Sequence, residues 1–284
     1  HPSAASLFQQ ADEVLGFSLS KIAFEGPAEE LTKTSICQPA LYVHGMACLA
    51  VLKEKIPGFA FHATAGLSLG EFTAHAAAGT FDFETGLDLV AKRSQAMQEA
   101  CERTEGSMAA VIGGEENRIR ELAAAADVDV ANLNSPGQIV LSGEASKISL
   151  AVSMAKEYGA RKAVELQVAG AFHSRLMESA YLKLKEVLEK TPINVPKVPV
   201  VCNVDAVAVG DPDSIRRTLA DQVIGSVRWT ESVEYLLDHL HCDQLLELGP
   251  GGVLAGLVAR IRKGTRVVSV SDAAGLAEAL KAFA

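Results

Sequence analysis

Residues Gly66-Leu67-Ser68-Leu69-Gly70-Glu71 set a serine between two glycines, with an apolar stretch at 59–65 before it and a helical run ending at Gly79 after it. This is the GxSxG pattern of a nucleophile elbow. A chain that turns from strand to helix within a few residues needs glycines that let neighbouring backbone approach, and it pushes the serine outward under strain. The hydroxyl then sits at a helix N-terminus, where exposed N–H groups stabilise an oxyanion. The plainer explanation of the same residues is a helix N-cap at a tight turn.

A serine nucleophile needs a base, and imidazole is the side chain that titrates near neutrality. Of the seven histidines, His1 opens the chain, His44, His62 and His75 lie within helical or strand patterns, and His239 and His241 flank a helix end where a cation suits the dipole. His173 differs. It lies in Ala169-Gly170-Ala171-Phe172-His173-Ser174, a loop that joins a small inserted unit back to the main part, where a cleft between the two would form. A solvated or capping role is the competing explanation for a lone loop histidine.

The elements that must position these residues follow from periodicity. Gln38-Pro39 reads as the cap and first turn of a long apolar-periodic helix through about Lys55. The strand and elbow come next, and Asp82 and Glu84 open another helix carrying Leu87, Leu89, Val90, Arg93, Met97 and Ala100. From Met108 the order is strand 108–112, helix 115–126, strand 128–133, strand 138–141, helix 145–158 and strand 161–168, with a turn at Asn134-Ser135-Pro136-Gly137. That βαββαβ order is the ferredoxin-like arrangement. After Gly170 a larger α/β alternation resumes: helix 175–190, strand 198–202, helices near 212–223 and 230–240, strand 244–248, helix 253–262, strand 267–270 and a terminal helix. The expected fold class is therefore α/β, with a mostly parallel sheet in the large part, residues 1–105 and 169–284, and a ferredoxin-like unit, residues 106–168, inserted in it.

Composition narrows the chemistry. The 284 residues, 49% of them hydrophobic, are material for a sizeable core. Five cysteines, odd in number and scattered, show no short paired spacing for zinc or a redox dithiol, so a reducing compartment, the cytoplasm, is the expectation. No apolar run is read as approaching the roughly 20 residues of a membrane span. A formal charge of −9 argues against nucleic acid as a partner. Gly249-Pro250-Gly251-Gly252 fits neither phosphate-loop pattern and reads as a strand-to-helix turn, and no metal constellation is visible.

The ordered set made by Gly66–Glu71, Arg93 with Met97-Gln98-Glu99-Ala100, Asn132-Leu133-Asn134-Ser135-Pro136-Gly137-Gln138, Gly170-Ala171-Phe172-His173-Ser174, Val200-Val201-Cys202-Asn203-Val204, Val227-Arg228-Trp229 and Glu247-Leu248-Gly249-Pro250-Gly251 resembles the malonyl-CoA:acyl-carrier-protein transacylase family. The resemblance covers essentially the whole chain. It implies an α/β-hydrolase-like large domain with a ferredoxin-like insert, malonyl-CoA and acyl carrier protein as partners, and no cofactor beyond the coenzyme A thioester that is substrate. Carried over residue by residue, it makes Ser68 the nucleophile and His173 its base. The backbone carbonyl of Gln222 orients the imidazole, which accounts for the lack of an obvious triad acid between Ser68 and His173. The N–H of Leu69 becomes an oxyanion donor, and Arg93 binds the malonyl carboxylate. Phe172 fills the space of an α-methyl group, and Asn134 is a weak candidate for a pantetheine or malonyl contact.

Two departures stand out. Leu67 occupies a position where many members carry histidine, and the family's opening strand and GQGxQ loop have no counterpart, so a segment ahead of His1 is expected. Two other classes stay open at this point: a serine esterase or thioesterase on the same elbow, and a catalytically silent carrier-binding subunit. Within the acyltransferase reading, a polyketide carrier is the alternative to a fatty-acid one.

Overall fold

The computed structural model describes residues 1–283. The chain opens with helices α1 (Pro2–Leu15), α2 (Leu19–Glu25), α3 (Ala28–Leu31) and α4 (Thr34–Lys55). Helix α4 begins about a turn earlier than the Gln38-Pro39 signal predicts, leaving Pro39 inside it. The Lys33 carbonyl accepts from both Ile36 and Cys37 at 2.9 and 2.8 Å, so the first turn closes before the proline. By length and composition α4 could cross a membrane, contrary to the sequence expectation. In the fold it packs against α1, with Tyr42, Val43, Leu49 and Leu52 buried.

Strand β1 (Thr64–Ala65) leads through the elbow into α5 (Leu69–Ala77), and α6 (Phe83–Arg103) follows, its N-terminus capped by the Asp82 carboxylate accepting from Thr85 N–H at 2.8 Å. Helix α4 packs on both. The 59–65 stretch was expected to be a strand throughout, yet only two residues of it pair. An extended run becomes a strand only where a neighbour supplies ladder hydrogen bonds.

Residues 106–165 then form β2 (Gly106–Ile112), α7 (Glu116–Ala125), β3 (Asp129–Ser135), β4 (Gln138–Glu144), α8 (Ala145–Met154) and β5 (Lys162–Glu165). The sheet order is β3-β4-β2-β5, antiparallel throughout. Ile119, Leu122, Leu133, Ile139, Leu141 and Ile148 make its own apolar core. The tight turn lies one residue later than expected, at Pro136-Gly137, with Gly137 at φ 71°. Asn134 is consequently a strand residue, and the turn does not explain it.

The chain returns through α9 (Glu178–Lys190), β6 (Val200–Val201), β7 (Ala208–Val209), α10 (Pro212–Asp221), α11 (Trp229–Glu234), β8 (Gln244–Leu248), α12 (Val253–Ile261), β9 (Arg266–Val270) and α13 (Ala273–Phe283). β6 pairs parallel with β1 and antiparallel with β7, and β8 pairs parallel with β9. The expected strand at 198–202 shrinks to two residues, and the helix expected over 230–240 gives way after Glu234 to a π-helical turn. Glu247 steadies the glycine turn after β8: its carboxylate accepts from the N–H groups of Leu254 and Ala255, which open α12, at 2.9 and 3.1 Å.

Backbone bonds tie the inserted sheet to the main part. Leu133 N–H donates to the Val227 carbonyl at 2.9 Å, and Val227 N–H donates to Ala131 at 2.8 Å. At the exit, a Cβ on Gly170 would lie 2.4 Å from Cys101 Sγ, so only glycine lets the returning chain lie against α6. His173 follows three residues later.

Candidate active site

Ser68 joins β1 to α5 with φ 53° and ψ −108°, a conformation that non-glycine residues rarely adopt. The two flanking glycines differ in purpose. A Cβ on Gly66 would sit 2.0 Å from the Gly70 backbone, so the turn cannot close without glycine there, whereas a Cβ on Gly70 would meet open space. The expectation that both glycines make room for protein backbone holds only for Gly66.

Asn203, just beyond β6, spans the elbow: its Oδ1 accepts from Ser68 N–H at 2.7 Å and its Nδ2 donates to the Gly66 carbonyl at 2.8 Å. Its own backbone N–H donates to Glu71 Oε2 at 3.0 Å. Parallel pairing of β1 with β6 brings the two strand ends together and so delivers Asn203 to the nucleophile.

His173, also at positive φ, places Nε2 2.8 Å from Ser68 Oγ and Nδ1 2.7 Å from the Gln222 carbonyl. A carbonyl only accepts, so Nδ1 carries the proton and Nε2 presents its lone pair to the serine hydroxyl. Burial, and then the charge of Arg93, pushes the imidazole down to about 4, against the lift from its backbone hydrogen bonds. The ring is therefore neutral and able to accept a proton at pH 7.

Arg93, on α6 and only 1% exposed, donates from Nη2 to Ser68 Oγ at 3.0 Å and to Gln222 Oε1 at 2.9 Å, and from Nη1 to Gln38 Oε1. Its guanidinium also lies over the Phe72 ring, 5.4 Å from the centroid. Burial lowers it to about 10 and Glu71 raises it, so it stays charged. Among the described residues, no carboxylate is one of its hydrogen-bond partners.

Ser68, His173, Arg93 and Gln222 thus come together, and Leu69 opens α5, where first-turn N–H groups lack intrahelical acceptors. Phe172 packs where the main core meets the small cluster of Met108, Ala131 and Val140. Asn134 lies on β3 with a buried Oδ1 that has no partner among the described residues. Leu67 joins the apolar cluster of Trp229 and Val233.

Sequence reasoning assigned no site role to Asn203, Glu71 or the side chain of Gln222, and it read Gln38 only as a helix cap, whereas Gln38 lies inside α4 and accepts from Arg93. One signal was available: Glu71 lies three residues after Ser68 on a helix, a spacing that returns it to the face below the serine. Nothing in the sequence pairs Asn203 with Gly66, because that contact depends on strand register.

The chain matches the acyl transferase domain family over residues 3–271 and belongs to that family. More particularly, it is 42% identical over 276 residues to a malonyl CoA-acyl carrier protein transacylase of Bacillus subtilis, a match covering 95% of this chain and 86% of that protein. The malonyl-CoA:acyl carrier protein transacylase structure from Xanthomonas oryzae superposes with a TM-score of 0.95 at 38% identity, covering 100% of this chain and 91% of that one. A malonyl-transacylase solved in complex with its type II PKS acyl-carrier protein superposes with a TM-score of 0.93 at 39% identity, covering 99% and 92%.

Proposed function

We propose that this protein moves a malonyl group from coenzyme A to the pantetheine thiol of acyl carrier protein through a seryl ester. The observation that carries the reading is the placing of one buried arginine and one neutral imidazole within hydrogen-bond distance of the same serine oxygen. Ser68 Oγ attacks the thioester carbonyl as His173 Nε2 takes its proton. The carbonyl oxygen gains the negative charge, which the Leu69 N–H at the helix N-terminus stabilises. When the C–S bond breaks, the imidazolium returns the proton to the coenzyme A thiolate. The carrier thiol then gives its proton to His173, attacks the ester carbonyl, and Ser68 leaves with that proton.

Arg93 accounts for the choice of acyl group in this reading. Its paired N–H donors match a carboxylate, and the site offers that carboxylate a guanidinium with no ion-pair partner among the described residues. Phe172 limits the space beside the α-carbon. The reaction uses these side chains and the thioester itself, without a cofactor. We place it in the cytoplasm, in fatty-acid synthesis. A polyketide carrier is the second reading, favoured by the likeness to a transacylase bound to a type II PKS carrier.

The architecture that supports this is an α/β-hydrolase-like domain, residues 1–105 and 169–284, with a ferredoxin-like unit, residues 106–168, inserted. The β3-β4-β2-β5 order and βαββαβ succession support the second label, and the strained strand-to-helix serine supports the first.

Incubation with malonyl-, acetyl- or methylmalonyl-CoA followed by intact-mass measurement tests the proposal. One malonyl mass on a Ser68 peptide, then lost to acyl carrier protein faster than to water, is the expected result. Release only to water would make the protein a thioesterase, and no adduct would leave the silent carrier-binding subunit.

A further inference from the structure

Glu71 is fully buried in α5 directly beneath the nucleophile, and the mechanism above gives it no task. Burial raises its carboxyl to about 7, opposed by hydrogen bonds from Gln222 and Asn203 and by the charge of Arg93. Among the described residues its Oε1 has no hydrogen-bond partner. A carboxyl kept in such a place at a cost in stability invites a functional explanation.

Its partners supply one. Glu71 Oε2 accepts from Gln222 Nε2 at 2.6 Å. The same amide nitrogen faces the Ser68 carbonyl at 2.9 Å and Asn203 Oδ1 at 3.2 Å. Three acceptors around one nitrogen leave the amide a single orientation, because a flip would set its oxygen against all three. That orientation turns Oε1 toward Arg93. Gln222 also gives its backbone carbonyl to His173, so one residue touches the base, the nucleophile and the guanidinium.

We propose that Glu71 is a positioning residue that locks the Gln222 amide as a spacer between itself and Arg93, so that the guanidinium is held by an amide oxygen and its ion-pair position stays open to a substrate carboxylate. A carboxylate in direct contact with Arg93 would compete with the acyl group for the same donors. The amide bridge avoids that competition.

The inference rests on the proposed roles of Ser68, His173 and Arg93, and the experiment separates the two. Quenched acylation rates with malonyl-CoA and acetyl-CoA, read by intact mass, are compared in wild type, Ser68→Ala, Arg93→Ala, Glu71→Ala, Glu71→Gln, Gln222→Met and the Glu71→Ala/Gln222→Met pair. The malonyl-to-acetyl ratio should fall roughly tenfold in Glu71→Ala and in Gln222→Met, and the double variant should lose no more than the deeper single one, since both remove one coupled network. Glu71→Gln, whose amide oxygen accepts both N–H groups, should restore the ratio to within about threefold of wild type. If Glu71→Ala does not fold, Gln222→Met decides, because it keeps the backbone carbonyl on His173. An unchanged ratio in Gln222→Met overturns the proposal, as does a Glu71→Gln ratio as low as that of Glu71→Ala, or additive losses in the double variant. Label surviving in Ser68→Ala, or equal losses of both acyl groups in Arg93→Ala, would instead overturn the reading on which it rests.

Discussion

The inserted sheet and the surroundings of Ser68 fill their interiors with different chemistry. In the insert, β2, β3 and β4 run seven residues each, and α7 and α8 cover them over an apolar core whose members are almost all aliphatic. Around Ser68 the paired strands β1 and β6 are two residues long, and the buried groups include Glu71, Arg93, His173, Asn203 and Gln222. Apolar burial stabilises in proportion to area and tolerates imperfect geometry. Buried polar groups stabilise only when every donor and acceptor is met; among the described residues Glu71 Oε1 and Arg93 Nε are unmet around Ser68, and Asn134 Oδ1, Ser135 Oγ and Ser142 Oγ are unmet in the insert, but of the two regions only the one around Ser68 leaves ionisable groups unmet. The difference assigns the tasks: one region holds its shape by packing, and the other holds atoms ready for a ligand at a cost its surroundings must offset.

The strongest way to break that contrast is to remove the reacting atom. Ser68→Ala should abolish the malonyl adduct while leaving the melting curve close to wild type, and label on any other peptide would refute the assignment. Next comes the base. Losing a general base typically costs about 10²–10⁴-fold, so acylation of His173→Ala should slow by that much in a quenched time course. The pH dependence has a definite sign. Burial lowers the imidazole to about 4, so its neutral, proton-accepting form predominates above that pH and is lost below it. Wild-type acylation limited by His173 should hold its rate between pH 7 and 5 and fall as the pH drops through 4.

Arg93 sharpens the contrast, because its effect should depend on the acyl group. Truncating one member of a buried charge pair typically costs about 2–5 kcal/mol, equivalent to roughly two to three orders of magnitude over most of that range. Arg93→Ala should lose that much malonyl transfer while acetyl transfer, which has no distal carboxylate, changes little. Arg93→Lys should recover only part, since an ammonium cannot present the paired donors. Equal losses with both thioesters would make the arginine structural.

The sequence revealed these two regions unequally, for physical reasons. In the insert, hydrophobic periodicity switches cleanly between strand and helix, and the predicted elements at 108–168 match the observed order with shifts of a few residues. Gly66-Leu67-Ser68-Leu69-Gly70 announced the elbow because local backbone strain demands local residue types. The main-part strands were overextended, at 59–65 and 198–202, because pairing partners rather than composition decide where a ladder ends. The helix start at Thr34 was missed because proline is tolerated beyond the first turn when the turn before it is closed by other bonds. Asn203 and Glu71 appeared only as parts of longer motifs. Their contacts join residues more than 130 positions apart, and no periodicity encodes such a pairing.

Phe172 tests the contrast more gently, being an apolar residue at the edge of the polar site. A methyl group in an apolar pocket discriminates by roughly 1–3 kcal/mol, so Phe172→Ser should narrow the preference for malonyl- over methylmalonyl-CoA by at most a few hundredfold in a competition assay. Unchanged selectivity with activity retained would place the ring away from the α-carbon.

The smallest effect on acylation should come from the core of the insert. Leu141 is fully buried on β4, opposite Ala109 of β2 and Val130 of β3, among aliphatic neighbours. Leu141→Ala removes that side chain and leaves a cavity, a change that typically costs about 2–5 kcal/mol. For a chain of this size, each kcal/mol corresponds to roughly 2–4 °C in melting temperature. The variant should therefore melt several degrees lower. Its ties to the main part run through backbone bonds between β3 and Val227, which the substitution leaves in place. Below the melt, Leu141→Ala should acylate Ser68 at close to the wild-type rate and with the same malonyl-to-acetyl ratio. A lowered ratio in fully folded protein would show that packing inside the insert reaches Arg93 and His173, and the division between a region that holds shape and a region that holds reacting groups would fail.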